Sequence, residues 1–259
     1  QAVLKERKVI EDSPFIKIIE QIFTVGESQI RQRVSLRCQS KMVLFENEVD
    51  WKETHKMLRV SADTNIQTMI SQAEVQFGLV ERPTHQNTSW DAAKFEVLAH
   101  RFIDLSQSDY GFAVLNDSKY GHSVQEGRIE INLLRSPADV DPQADIRTHQ
   151  FTYAYYPHIG SLEHSDTLQK AHNLNSPLCI YPVEAPEFDV LQQLCVCDNK
   201  NIKIDTIKQS DLDPNAYILR LYESMGSTAN VTIHWNTSIK KICTCDLLEE
   251  HEVQIPFQE

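Results

Sequence analysis

QIRQRVSLRCQ (residues 29–39) and MVLFENEVDW (residues 42–51) place apolar side chains at alternate positions. Ile30, Val34, Leu36 and Cys38 share one face of the first stretch; Val43 and Phe45, then Val49 and Trp51, share one face of the second. Successive side chains of a strand point to opposite faces, so this pattern predicts antiparallel strands with one side on a core and one on water. The alternation returns in RIEINLLR (128–135) through Ile129, Ile131 and Leu133, and in QFTYAYY (150–156) through Phe151, Tyr153 and Tyr155. SPFIKIIEQIFTV (13–25) also clusters Ile18, Ile19, Ile22 and Phe23 at helical spacing, but its β-branched and aromatic content favours a strand.

The clearest helix is HSDTLQKAHNLN (164–175), where Ser165 can cap and Leu168, Ala171 and Leu174 fall on one side. SPLCIYPVEAPEF (176–188) then places three prolines close together and reads as a domain connection. Alternation resumes in IKIDTI (202–207), YILRLYE (217–223) and NVTIHW (230–235). The pattern predicts a mainly β chain, with a large antiparallel domain over 1–172 and a small β-sandwich over 176–259.

A chain of 259 residues can bury roughly three quarters of its unfolded surface, enough for such a pair of domains without staples. Lys and Arg total 25 against 37 Asp and Glu, a net charge of -12, which repels a phosphate backbone or an anionic membrane. Neither nucleic acid nor membrane is therefore an expected partner. No run reaches the ~18 apolar residues of a membrane span, and the first ten residues lack the apolar stretch of a signal peptide, so a cytoplasmic location is expected. The chain opens on Gln1, which fits processing or a piece of a longer polypeptide.

Few features carry chemistry. There is no G-x-S-x-G, no phosphate-cradling glycine loop and no H-E-x-x-H, and the chain has only seven glycines from which to build a nucleotide loop. Cys195 and Cys197, and Cys243 and Cys245, form two C-x-C pairs; zinc sites usually separate paired cysteines by two to four residues, so these read as small apolar side chains on strand faces. Glu46, Glu48 and Asp50 alternate along one strand and read as its solvated side. His164 and Asp166 have the spacing of a two-ligand metal motif and also sit where a helix is capped. His149 and His158 flank the aromatic strand, and Trp90 reads as a sheet-packing anchor. The sequons at Asn87, Asn116, Asn230 and Asn236 read as chance matches in the absence of an export signal.

SQIRQRVSL, FENEVDWKETHKML, QFGLVERPTHQNTSWDAAKFEVLAHRFIDLS, YGFAVLNDSKYG, LLRSPADVDPQAD, HQFTYAYYPH, ILRLYES and DLLEE, in this order, resemble the C-terminal part of glycoside hydrolase family 38, the α-mannosidases, in its cytosolic-type branch. The block from Glu81 to Tyr120 is the most distinctive part of the likeness. The resemblance implies a large supersandwich of the galactose mutarotase kind followed by a smaller β domain. It implies a retaining hydrolase that removes terminal non-reducing α-linked mannose through a covalent glycosyl-enzyme intermediate. Its zinc, or another divalent metal, and its aspartate nucleophile belong to an N-terminal barrel that this chain lacks. No catalytic residue and no metal ligand is carried over, and no cofactor is expected in this chain. The expected partners are the chain's own N-terminal catalytic domain and, through the intact enzyme, an α-mannoside oligosaccharide; homo-oligomerisation is left open.

What does carry over is a rim. In the family, loops of the large sandwich lean over the barrel, and LNDSKYG (115–121) matches one of them. Asn116 offers donor and acceptor, Asp117 accepts, Lys119 donates and Tyr120 presents a ring, a set suited to a polyol. The same residues also suit a plain turn between strands 111–115 and 128–135, with Asn116 and Asp117 bonded to their own backbone. Arg135 corresponds to an arginine that reaches toward sugar in other branches, although those carry a paired arginine where this sequence has Arg135-Ser136. Two other readings stand beside this one. One is a free-standing carbohydrate-binding module using exposed aromatics such as Tyr120 and Trp90. The other is a mutarotase-like or lyase-like enzyme pairing His100 or His122 with Asp104 or Asp117 in a concave face.

Overall fold

The alternating stretches are strands in the structure, a computed structural model that describes residues 1–182 and 194–258. Part of the proline-rich connection thus lies outside the described residues. Two compact units are present, Gln1–Leu178 and Cys179–Glu259. In the first, the strands are β1 (Val3–Asp12), β2 (Ile16–Val25), β3 (Ser28–Arg37), β4 (Val43–Asp50), β5 (Met57–Asp63), β6 (Ile70–Val75) and β7 (Gly78–Pro83). After a short helix α1 (Ser89–Ala93) come β8 (Val97–Leu98), β9 (Phe102–Ser106), β10 (Tyr110–Asn116), β11 (Gly121–Gln125), β12 (Arg128–Arg135) and β13 (Thr148–Ile159). A 3₁₀ turn (Leu162–His164) and helix α2 (Thr167–Asn175) close the unit. The ambiguous segment 13–25 is thus a strand.

Sheet A has nine strands in the order β1-β2-β3-β4-β13-β10-β9-β6-β7, and sheet B has four, β5-β12-β11-β8. Between them lies the main core, in which Ile30, Val49, Phe151, Val114 and Ile103 of sheet A pack with Val124, Ile129, Ile131 and Leu133 of sheet B. Trp51, fully buried, donates its indole N–H to Ser136 and closes one end of this layer. The alternation that puts Phe151 and Tyr153 into the sandwich sends Ala154, Tyr156 and His158 to the opposite face of sheet A. These are buried too, together with Phe102, Leu115, Leu162, Leu168 and Ala171.

This second layer holds a polar cluster. His158 Nε2 lies 2.7 Å from Asp104 Oδ2, and Ser106 Oγ donates to Asp104 Oδ1 at 2.5 Å while accepting the Leu162 amide at 3.2 Å. Gly111 stands between Ser106 and His158 in register, and a Cβ there would sit 2.2 Å from His158 Cε1. The missing side chain is what lets the imidazole cross the strand to reach Asp104.

Helix α2 starts later than the sequence suggested. Asp166, not Ser165, is the N-cap residue, and its carboxylate makes no capping bond. Instead it accepts the Tyr156 hydroxyl and lies 3.4 Å from Lys170 Nζ, while Ser165 Oγ accepts the Thr167 amide at 3.2 Å. Trp90 is not a packing anchor: it lies on α1 and is 79% exposed.

In the second unit, β14 (Cys195–Cys197) pairs with β17 (Ile233–Trp235), β15 (Ile202–Gln209) with β16 (Tyr217–Glu223), and β18 (Cys243–Thr244) with β19 (Val253–Gln254). Cys195 and Cys197 lie on β14 and Cys243 on β18, strands of different sheets, while Cys245 follows the end of β18. Cys195 is buried as expected for a small apolar side chain, but Cys245 is exposed. Glu249 ties the unit together: it pairs with Lys208 at 2.6 Å and accepts from Ser210 Oγ and the Asp211 amide, which pushes its carboxyl down to about 2.

Two substitutions test this packing. Gly111→Ala is expected to cost about 1–3 kcal/mol, seen as a lower urea midpoint, because His158 is held by Asp104 and cannot swing aside; an unchanged midpoint would mean that it can. His122 lies in the core, its Nδ1 3.2 Å from the Tyr120 carbonyl and its Nε2 without a partner. Burial pushes its pKa down to about 4 from 6.5. The unfolded chain therefore binds the extra proton first, and stability falls as pH drops from 6.5 toward 4. Across that window His122→Leu should lose less stability than the parent chain, by on the order of 3 kcal/mol. Parallel curves for the two proteins would contradict the assignment.

Candidate functional site

LNDSKYG is neither a simple hairpin nor a free loop. β10 belongs to sheet A and β11 to sheet B, so residues 116–120 carry the chain from one sheet to the other. The expected turn between 111–115 and 128–135 is interrupted by β11. A crossover at this point needs its backbone groups satisfied without a ladder, and Asn116 does most of this. Its buried side chain donates to the His100 carbonyl at 3.0 Å and accepts the amides of Ser118 and Lys119 at 3.1 and 2.7 Å. Asp117 is used similarly: Oδ2 accepts the Thr152 amide at 2.9 Å and Oδ1 accepts Ser118 Oγ at 3.1 Å. Asn116 thus bonds the turn backbone as the plain-turn reading expects, whereas the Asp117 carboxylate reaches the Ser118 hydroxyl and the Thr152 amide of β13.

The other three side chains are not used up. Lys119 Nζ lies 4.6 Å from the centre of the Phe151 ring. Burial holds this ammonium below the ordinary lysine range, while Asp117 and Asp145 pull it back up. Tyr120 is 47% exposed, with its ring 5.5 Å from that of His100. Arg135 is exposed at the end of β12; its amide donates to Asp145 Oδ2 at 3.1 Å, and its guanidinium has no partner among the described residues.

Asp145 links the far-apart pieces. It accepts the Arg135 amide through its carboxylate and approaches His149 Nε2 at 2.8 Å through its carbonyl, and its charge, like that of Arg147, acts on Lys119. The loop 136–147 is thus bonded to the end of β12 at Arg135, and its charges act on Lys119. Sequence reasoning missed Asp145, Arg147 and the Lys119–Phe151 contact. No periodicity marks a loop residue, and only Phe151, at its core-facing strand position, gave any signal.

The remaining candidates do not converge into a reactive centre. Glu46 and Glu48 face Arg33 and Arg31 across the β3–β4 pair, on the exposed side. Asp104 is taken by His158 beneath α2, and His122 lies inside the core, so the His–Asp pairings of a mutarotase-like site are not formed. His164 pairs with Ser161 Oγ at 3.0 Å. Among the described residues one group of potential metal ligands comes together, Asp246, Glu250 and His251, all exposed. One Asp246 oxygen already accepts the amides of Leu248 and Glu250, and all three residues are exposed, so the group is an open acidic surface cluster.

Residues 1–143 match the family described as glycosyl hydrolases family 38 C-terminal domain, and residues 201–259 match its C-terminal beta sandwich domain. The chain is 40% identical to alpha-mannosidase 2C1 of Mus musculus over 87% of this chain and 22% of that protein. It is 39% identical to alpha-mannosidase G of Dictyostelium discoideum over 94% of this chain and 23% of that protein. A solved alpha-mannosidase from Enterococcus faecalis superposes with a TM-score of 0.84 at 18% identity, over 96% of this chain and 32% of that one, which supports the fold. The chain spans less than a quarter of the length of the curated relatives it matches. On these matches the chain belongs to glycosyl hydrolase family 38, where it corresponds to the C-terminal region of the alpha-mannosidases.

Proposed function

We propose that this chain is the non-catalytic β portion of a retaining α-mannosidase, which removes terminal non-reducing α-D-mannose from oligosaccharides in the cytoplasm. The reactive groups, including an aspartate nucleophile and a bound zinc or other divalent ion, reside in a catalytic barrel elsewhere in the longer polypeptide. This chain packs beside that barrel and shapes the mouth of the sugar pocket. Alone it is inactive.

The observation that carries this reading is the division of labour within LNDSKYG and its surroundings. Asn116 and Asp117 build the crossover, and Lys119, Tyr120 and Arg135 are left with donors or a ring to offer. Cationic donors and an aromatic face hold a sugar by its hydroxyls and its apolar side without doing bond chemistry. No helix among the described residues is long and apolar enough to cross a membrane.

A free-standing carbohydrate-binding module is the second reading, favoured by the 79% exposure of Trp90. Calorimetric titration of this chain with mannose and mannobiose separates the two: binding abolished by Trp90→Ala or Tyr120→Ala supports the module.

Two further outcomes are expected. With a chromogenic α-mannoside, the chain alone should give the background rate and the longer polypeptide a metal-dependent turnover; turnover by the chain alone, or a natural reading frame that begins near residue 1, refutes the proposal. In the longer polypeptide, Arg135→Ala and Lys119→Ala should raise KM about tenfold with kcat nearly unchanged, the signature of lost uniform binding. Asp117→Ala should instead lower stability by about 1–3 kcal/mol, because it strands the Thr152 amide.

A further inference from the structure

Lys119 and Arg135, the two cations of the rim, can only donate hydrogen bonds. The acceptor oxygens of Asn116 and Asp117 are engaged in building the crossover. A sugar hydroxyl gives a proton as well as taking one, so a surface that holds it needs an acceptor of its own.

His100 stands beside the rim with an imidazole that the crossover does not use. Its backbone is tied on both sides: Asn116 Nδ2 donates to its carbonyl at 3.0 Å, and its own amide donates to the Glu74 carbonyl at 2.7 Å. The flanking residues are held in the same way. Ala99 donates its amide to the Tyr120 carbonyl at 3.1 Å, and the Arg101 carbonyl accepts the Asn116 amide at 2.9 Å. Glu74, 2% exposed, accepts the Arg101 amide at 3.0 Å and Arg101 Nε at 2.9 Å. Taking that carboxylate out of water is costly unless the guanidinium meets it, so the pair holds residues 100 and 101 in one geometry. Residues 99–101 and 116–120 are therefore one bonded piece.

The His100 ring is carried by that piece. It is half-buried, with its centre 5.5 Å from that of the Tyr120 ring and the two planes at 42°. Elsewhere in the first unit the rings of His85, His149, His158, His164 and His172 each bring a nitrogen to a polar partner. The ring nitrogens of His100 have no such partner among the described residues, and neither has the Tyr120 hydroxyl. Partly burying an imidazole without bonding it costs free energy that a bound hydroxyl recovers.

We infer that His100 is a further sugar-binding residue of this rim: one nitrogen of its imidazole accepts the proton of a mannose hydroxyl, while the apolar face of the same sugar lies on Tyr120. The pair supplies the acceptor and the platform that the cations lack. This rests on the proposal that the rim borders a mannose pocket, and it names the group that reads a hydroxyl there.

Kinetics of the longer polypeptide on mannobiose, and on a set of monodeoxy mannobioses that each lack one hydroxyl, test it. His100→Phe keeps a ring against Tyr120 and removes the nitrogens. It should raise KM on mannobiose about five- to tenfold, the size of one net hydrogen bond, with kcat nearly unchanged. On one analogue, the one lacking the hydroxyl that His100 meets, parent and variant should share the same KM. His100→Ala should single out the same analogue, which guards against repacking by the phenylalanine. A loss of equal size on every analogue would overturn the inference, because a residue that acts only through the fold does not select one hydroxyl. So would an unchanged KM for His100→Phe beside a raised KM for Tyr120→Ala, an outcome that leaves the rim reading standing. An unchanged KM for both variants overturns the rim reading and the inference with it.

Discussion

β13 is buried on both faces, and most of the first unit is arranged around that fact. It is the middle strand of the nine in sheet A. Phe151 and Tyr153 feed the sandwich core, while Ala154, Tyr156 and His158 feed the layer beneath α2. A strand so placed cannot slip register, because a shift by one residue would exchange the two sets and push Tyr156 and the His158–Asp104 pair into an apolar core. The Tyr153 and Gln32 side chains, bonded at 3.1 Å, carry the same register across β4 to β3.

The rim inherits its geometry from this strand. Asp117 exchanges bonds with Thr152 of β13 through both its amide, at 3.2 Å, and its carboxylate, at 2.9 Å. Lys119 lies against Phe151, the neighbouring residue. The crossover from sheet A to sheet B is therefore clamped to the most constrained strand of the fold, and the exposed groups that follow it start from a rigid base. Rigidity of that kind is what the sugar-positioning role proposed for Lys119, Tyr120 and Arg135 requires.

How much of this was legible in the sequence follows from which forces act locally. Period-2 alternation exposed β3, β4, β12 and β13 almost to the residue, because each buries a face and burial writes itself into spacing. β11 was overlooked in GHSVQ, where His122 occupies a core position that a pattern of apolar residues does not reveal. Asn116 and Asp117 were visible as polar turn formers, but their partners, His100 and Thr152, lie 16 and 35 residues away. Asp145 and Arg147 were invisible for the same reason: loop residues act through tertiary contacts that leave no period. Trp90 was misread because an aromatic between polar residues is usually packed, and here it stands on a two-turn-or-shorter helix facing solvent. The family likeness rested on long idiosyncratic blocks, which no physical pattern would have yielded.

A crystal structure of the longer polypeptide with a non-hydrolysable mannoside bound would bear hardest on the account. It should show hydroxyls of the sugar within hydrogen-bond reach of at least one of Lys119, Tyr120 and Arg135, with every carboxylate of this chain remote from the anomeric carbon. A carboxylate from these 259 residues poised at that carbon would contradict it, as would a sugar that touches none of the three.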